Sequence, residues 1–218
     1  LLSYKYIILN SDYIKDIYLK HTTNYFTNQI IKIIYPYCFE KNNSYNNIKK
    51  DKSFVIIGNN KTFDMAIKYF EQIEKENIGE YILHMVITNN SNSFLNYLKT
   101  FTSKNFNIHL NISNEEKNII LSSTKYIINL DYELVGITIL EGINYGCIPL
   151  SINNGYPPYY INENTGIIFN NEKEFYNIIY DIINNKQYYY NYDFYNKFLD
   201  KFTLENYNNS IDSFLKLI

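Results

Sequence analysis

With 218 residues and 46% hydrophobic content the chain can bury a substantial core, which excludes a small stapled peptide and corresponds to one or two domains. A formal net charge of -2, with Lys interleaved among Asp and Glu, leaves no basic face and argues against a nucleic-acid partner. Cys38 and Cys147 stand in no metal or redox spacing, and no apolar run approaches the roughly 18 residues of a membrane span, so the chain reads as soluble and cytoplasmic with ordinary reduced thiols.

Tyr6 to Leu9 is a short apolar run ended by Asn10-Ser11-Asp12, which supply turn or cap chemistry, and Ile14, Ile17 and Tyr18 follow at helical spacing. Ile30 to Tyr35 is a second strand candidate, stopped at Pro36; Glu40 to Lys52 is polar and unpatterned and reads as a linker. One helix and two short strands cannot enclose a core of their own. Phe54 to Gly58 has the pattern of a buried strand, and Phe63, Ile67, Phe70 and Ile73 mark one face of the helix after it. Tyr81 to Thr88 repeats the strand, followed by an Asn- and Ser-rich loop, Asn89 to Ser93, and a helix through Phe94, Leu95 and Leu98. Asn107 to Ile112 is the next strand, and Ser113 with Glu116 forms a capping box for a helix reaching about Ser122. Tyr126 to Leu130, Ile148 to Ile152 and Gly166 to Phe169 complete the strands, and the chain reads as helical from Glu172 to its end. Alternation of this kind predicts an α/β fold, a Rossmann-like, doubly wound and mostly parallel sheet. Its ligand crevice lies at the carboxyl ends of the strands, where the loops 59–62, 89–93 and 131–136 gather.

Chemistry concentrates between Glu133 and Pro149. Glu133 lies in the loop leaving a strand, and Glu141 lies about one turn into a helix packed through Leu140, Ile143 and Cys147, about a hundred degrees from its core face. Gly136 and the free N–H groups of Ile137 and Thr138 at the helix start form an anion site suited to a pyrophosphate. Carboxylates beside such a site can accept from sugar hydroxyls, so a nucleotide-diphosphate sugar satisfies all three features. The plainer alternative is a first-turn acid at Glu141, favoured by the helix dipole, and a solvated loop acid at Glu133.

From Tyr6 onward the chain resembles the retaining glycosyltransferases of the GT-B fold, family GT4, whose hallmark is two Glu separated by seven residues, as Glu133 and Glu141 are. Gly146-Cys147-Ile148-Pro149-Leu150, Asn154-Gly155-Tyr156-Pro157-Pro158 and Asn164-Thr165-Gly166-Ile167-Ile168-Phe169 follow in the family's order. Gly58 to Asp64 is similar to the family's first donor-domain loop, with Lys61 and Asp64 matched and Asn59 where an Arg is expected. Leu134-Val135 stand for the family's Gly-Phe, and Asn154 for one of its Gly residues.

The resemblance implies the C-terminal, donor-binding half of a GT-B enzyme. It divides the chain into 1–38, the tail of an acceptor-side domain; 39–52, a linker; 53–203, the donor domain; and 204–218, a helix returning towards the interdomain cleft. It implies that Glu133 holds the transferred sugar and Lys61 neutralises the leaving diphosphate, these two being the catalytic candidates. Glu141 takes the ribose, and Gly136, Ile137, Thr138 and Asn59 complete the donor site. No metal or other cofactor is implied, the nucleotide sugar being a substrate. The acceptor, whether glycan, lipid or protein, is left open, as is peripheral membrane contact through an N-terminal domain. His21, His84 and His109 are read as core or loop residues. The alternative is a non-catalytic nucleotide-sugar-binding module or a subunit of a heteromeric transferase.

Overall fold

The apolar runs become strands and the periodic stretches between them helices in the computed structural model of the protein, which describes residues 4–22, 29–41, 50–58, 60–76, 79–87, 103–189 and 191–218. The elements are β1 (Tyr6–Leu9), α1 (Asp12–Thr22), β2 (Ile30–Ile33), β3 (Lys50–Gly58), α2 (Asn60–Lys75), β4 (Ile82–Ile87) and β5 (Phe106–Leu110). They continue with α3 (Asn114–Ser123), β6 (Thr124–Asn129), α4 (Ile137–Asn144), β7 (Ile148–Ile152), β8 (Ile167–Phe169), α5 (Glu172–Ile183), α6 (Tyr192–Leu199) and α7 (Leu204–Leu215).

Among the described residues β3 to β8 form one six-stranded sheet in the order β5-β4-β3-β6-β7-β8, and every pairing in it is parallel. A parallel sheet must be covered on both faces, and the strand residues alternate accordingly. Phe54, Ile56, Leu83, Met85, Tyr126 and Ile128 face one layer, where they meet Phe63, Ile67 and Phe70 of α2 and Phe175 and Ile179 of α5. Val55, Val86 and Ile127 face the other, against Ile120 and Leu121 of α3 and Cys147. Phe54 stacks on Tyr126 with ring centroids 5.4 Å apart and meets the edge of Phe70 at 5.6 Å, so aromatic rings fill the middle of the first layer. A third cluster joins Ile139, Leu140 and Ile143 of α4 to Tyr156, Tyr160, Tyr195, Leu199 and Phe202.

β1 and β2 pair in parallel as a separate two-stranded ribbon. α1 buries no residue, and Ile8, Leu19 and Ile30 are exposed, so this segment has no core of its own. Its helix start leans on the large sheet's loops, and Tyr6 meets the last helix: its hydroxyl donates to Leu217 O at 2.7 Å and its ring packs edge-on against Phe214.

Three sequence expectations shift. β3 begins at Lys50, three residues inside the stretch read as linker, because pairing of Lys50 with Thr124 across an irregularity extends the ladder backwards. β5 begins at Phe106, one residue early, because Phe106 pairs with Leu83. The C-terminal region is not one helical run: α5 ends at Ile183 with Asn184 as its C-cap, Asn185 takes φ +75°, and helix resumes only at Tyr192, capped by Asn191. The loop 89–93, the helix through Phe94, Leu95 and Leu98, and most of the linker lie outside the described residues.

α4 lies closer to the sheet than its apolar spacing implies. A Cβ on Gly142 would come within 2.4 Å of Ile127 Cδ1 and 3.0 Å of its Cβ. Gly142→Ala should therefore overpack the α4 and β6 contact and lower stability by about 1–3 kcal/mol, read as a fall in urea midpoint at unchanged m.

Candidate functional site

Strand order reverses between β3 and β6, since β3 is followed by β4 on one side while β6 is followed by β7 on the other. Loops leaving such a pair diverge to opposite faces and open a crevice at the strands' carboxyl ends. The turn after β3 leads into α2, whose first turn holds Lys61; the turn after β6 carries Asp131, Glu133 and Gly136. Side chains join the two turns. The buried Thr62 hydroxyl donates to the Asp131 carboxylate. Asn129, at the end of β6, uses its amide nitrogen on Asp131 O and on the Ser151 hydroxyl, both at 3.0 Å. Hence the loop of Glu133 is pinned to β7 and to the residue after Lys61. The Lys61 side chain and Asn59 lie outside the described residues.

Gly136 precedes α4 with φ +78°, a left-handed conformation suited to Gly, and no side chain caps the helix. The first-turn N–H groups of α4, those of Ile137 and Thr138 among them, therefore have no side-chain cap to saturate them. Glu133 is half-buried beside the Gly136 backbone. Burial pushes its carboxyl above the ordinary range, the Asp131 charge adds to the rise, and the Gly136 backbone N–H offsets part of it. Beneath this loop the Tyr156 N–H donates to Glu133 O at 2.8 Å, and a Cβ on Gly155, at φ +71°, would stand 2.1 Å from that same oxygen. Gly155 thus sets how closely the turn after β7 supports the Glu133 backbone.

The start of α1 closes over the same loop. Ser11 donates to Leu134 O at 3.1 Å, the Tyr13 and Tyr132 hydroxyls are 2.7 Å apart, and Tyr159 donates to Asp16 at 2.7 Å. Tyr35 donates to Asp12, which raises the phenol's pKa further beyond what burial does.

Glu141 faces a different neighbourhood. Its Oε1 accepts from Lys117 Nζ of α3 at 2.7 Å, with the two side chains only 22% and 16% exposed, so the pair is half-buried rather than a surface contact. Cys38 lies near it; burial and then the Glu141 charge push its thiol up to about 12. The segment carrying Cys38 is held to α4 by the Asn144 amide, which donates to Glu40 O at 3.0 Å. His84 and His109 sit on β4 and β5, well along the sheet, with Nδ1 and Nε2 3.0 Å apart, and His109 is lowered by burial.

Residues 39–197 match the family model described as glycosyl transferases group 1. The chain belongs to that family. No curated protein matches the sequence. Among solved structures, the apo form of the lipopolysaccharide outer core galactosyltransferase WaaB superposes with a TM-score of 0.69 at 17% identity, covering 96% of this chain and 62% of that one. The GtfA/B complex superposes at 0.73 with 10% identity over 97% of this chain and 45% of that one. A mutant of S. aureus TarM, in complex with Fondaparinux, alpha-GlcNAc-glycerol and UDP, superposes at 0.68 with 15% identity over 98% and 43%. The chain therefore spans less than two thirds of the length of these structures, and its fold is the Rossmann-like fold of the GT-B glycosyltransferases. No helix among the described residues is long and apolar enough to cross a membrane.

Of the residues singled out from sequence, Glu133, Gly136, Ile137 and Thr138 lie together at the crevice beside the turn of Lys61, while Glu141 stands further along α4 against α3. Thr62, Asp131 and Lys117 were not singled out. Thr62 and Asp131 adjoin the motif, but nothing in their spacing joins them across 69 positions. Gly155 carried a sequence signal, in the Asn154-Gly155-Tyr156-Pro157-Pro158 run, without its mechanical role.

Gly155→Ala combines a left-handed φ with a backbone clash that no side chain can relieve, and should cost more stability than Gly142→Ala in the same urea titration. Because the folded-state pKa of Glu133 is raised, ionisation opposes folding increasingly as the pH rises from the unfolded carboxylate range, in full above the folded value, and the opposition vanishes below that range. Glu133→Gln should therefore raise the melting temperature at pH 7, and the gain should shrink as the pH falls through that range.

Proposed function

We propose that this chain is the donor-binding part of a retaining glycosyltransferase of the GT4 type, transferring a sugar from a nucleotide-diphosphate sugar. The observation that carries the reading is the junction at the strand-order reversal. There the uncapped start of α4, the Glu133 carboxylate and the turn bearing Lys61 are gathered by the hydrogen bond from Thr62 to Asp131. Family membership and the UDP named in the TarM complex support a nucleotide donor.

In this reading the diphosphate lies at the start of α4, where backbone N–H groups of Gly136, Ile137 and Thr138 and the helix dipole favour an anion. Lys61 adds a point charge from the opposite turn, and Asn59 a neutral donor where relatives of this type place Arg. As the bond between the sugar and the leaving phosphate breaks, negative charge grows on the diphosphate and positive charge on the sugar ring. The first is met by fixed donors, and the second by a Glu133 carboxylate that also orients the sugar's hydroxyls. Glu141 accepts from the ribose. Neutralisation by Lys61 and backbone donors lets the reaction proceed without a bound metal.

The acceptor side belongs, in the same reading, to a domain of which residues 1–38 form the end, with 39–52 crossing to the donor domain of 53–203 and 204–218 crossing back. The exposed Ile8, Leu19 and Ile30 are the surfaces such a domain would cover, and the contact of Tyr6 with Phe214 and Leu217 supports the return of the last helix.

Glu133→Gln should reduce transfer by at least about 10²-fold, the size of an electrostatic contribution at a developing charge, while calorimetric affinity for a nucleoside diphosphate stays within about twofold. Unchanged turnover would remove Glu133 from the chemistry. Nucleotide binding with no transfer by the wild-type protein would favour a non-catalytic binding module.

A further inference from the structure

The Glu141 carboxylate is not free to turn. Its Oε1 is held by Lys117 Nζ at 2.7 Å, and among the described residues Oε2 has no partner. An ionised carboxylate offers about four lone-pair sites and no proton, so a fixed Oε1 leaves Oε2 aimed as an acceptor with one orientation already selected. Lys117 is itself placed by a strong local device. The capping box of Ser113 and Glu116 starts α3, Ser113 accepting from the Glu116 N–H while the Glu116 carboxylate accepts from the Ser113 N–H at 2.8 Å, and Lys117 N continues the ladder to Ser113 O at 3.0 Å. Ile120 and Leu121 anchor the same helix in the core one turn later. The ammonium therefore comes from a rigid element.

We propose that Lys117 is a positioning residue for the donor's ribose: it fixes the rotamer of Glu141 so that Oε2 meets the 2′,3′-diol, and thereby sets the preference for a ribonucleotide. This rests on the reading of Glu141 as the ribose ligand. The role is orientational, since a carboxylate held by a charge-assisted hydrogen bond loses little further rotamer freedom when the diol binds. Without the ammonium, Glu141 is free to swing between solvent and site.

Calorimetric titration of the protein with UDP, GDP and ADP, each against its 2′,3′-dideoxy counterpart, reads the diol's contribution as a ratio of affinities. For the base that binds tightest, the wild-type ratio should be about tenfold or more. Lys117→Met and Glu141→Gln should each lower it by at least about fivefold, the double variant no further, and Lys117→Arg should retain most of it. Lys117→Gln is read alongside, with thermal melts of all variants, so that a folding defect in one leaves the ratio measurable in the other. A wild-type ratio kept in Lys117→Met and Lys117→Gln but lost in Glu141→Gln overturns the positioning role and leaves Glu141 as the ribose ligand. Equal weakening of both nucleotide forms in the Lys117 variants, as expected of a phosphate contact, overturns that role too. An unchanged ratio in Glu141→Gln, or equal affinity for both forms in the wild type, overturns the ribose assignment and this inference with it.

Discussion

Where strand order reverses between β3 and β6, two polar turns leave adjacent strands for opposite faces. Their polar groups must satisfy one another, and the hydrogen bond from Thr62 to Asp131 is how they do so. It is made by a hydroxyl that is 2% exposed, on the helix after β3, to a charged group on the loop after β6. Both elements of the proposed donor site inherit their placement from it: the turn of Lys61 on one side and the loop of Glu133 on the other.

Support for that loop comes from beneath and from above. Gly155 lets the turn after β7 approach the Glu133 carbonyl at a distance any Cβ would forbid, while Ser11 and Tyr13 hold the loop from the α1 side. The result is a carboxylate that is half-buried and held above its ordinary pKa. The proposed role of Glu133 in holding the sugar draws on that combination of support and incomplete solvation. Glu141, by contrast, has its charge partnered inside the protein. Two carboxylates eight positions apart thus have different electrostatic environments, which fits different duties.

Much of the fold was legible because parallel strands buried on both faces leave an unmistakable trace: Phe54 to Ile57, Tyr126 to Leu130 and Ile148 to Ile152 are near-continuous apolar runs. The Ser113 and Glu116 capping box was equally legible, since its chemistry is local. Edges were less so. Lys50 to Lys52 read as linker because their side chains are polar, yet backbone pairing draws them into β3. The break after α5 was hidden because Asn-rich and Tyr-rich segments in this composition occur in helices and loops alike.

By itself, the sequence determined the order of strands and helices, the glycine at the head of α4, and two carboxylates at a fixed separation along the chain. All of these depend on residues within a few positions of one another. Only the tertiary structure decided which turns meet at the reversal, that Gly155 bears on the Glu133 backbone, and that Lys117 rather than solvent faces Glu141. Contacts of this second kind join positions 22 to 69 residues apart. Parallel crossovers bring them together through the geometry of the whole sheet, and no local pattern of residues encodes that distance.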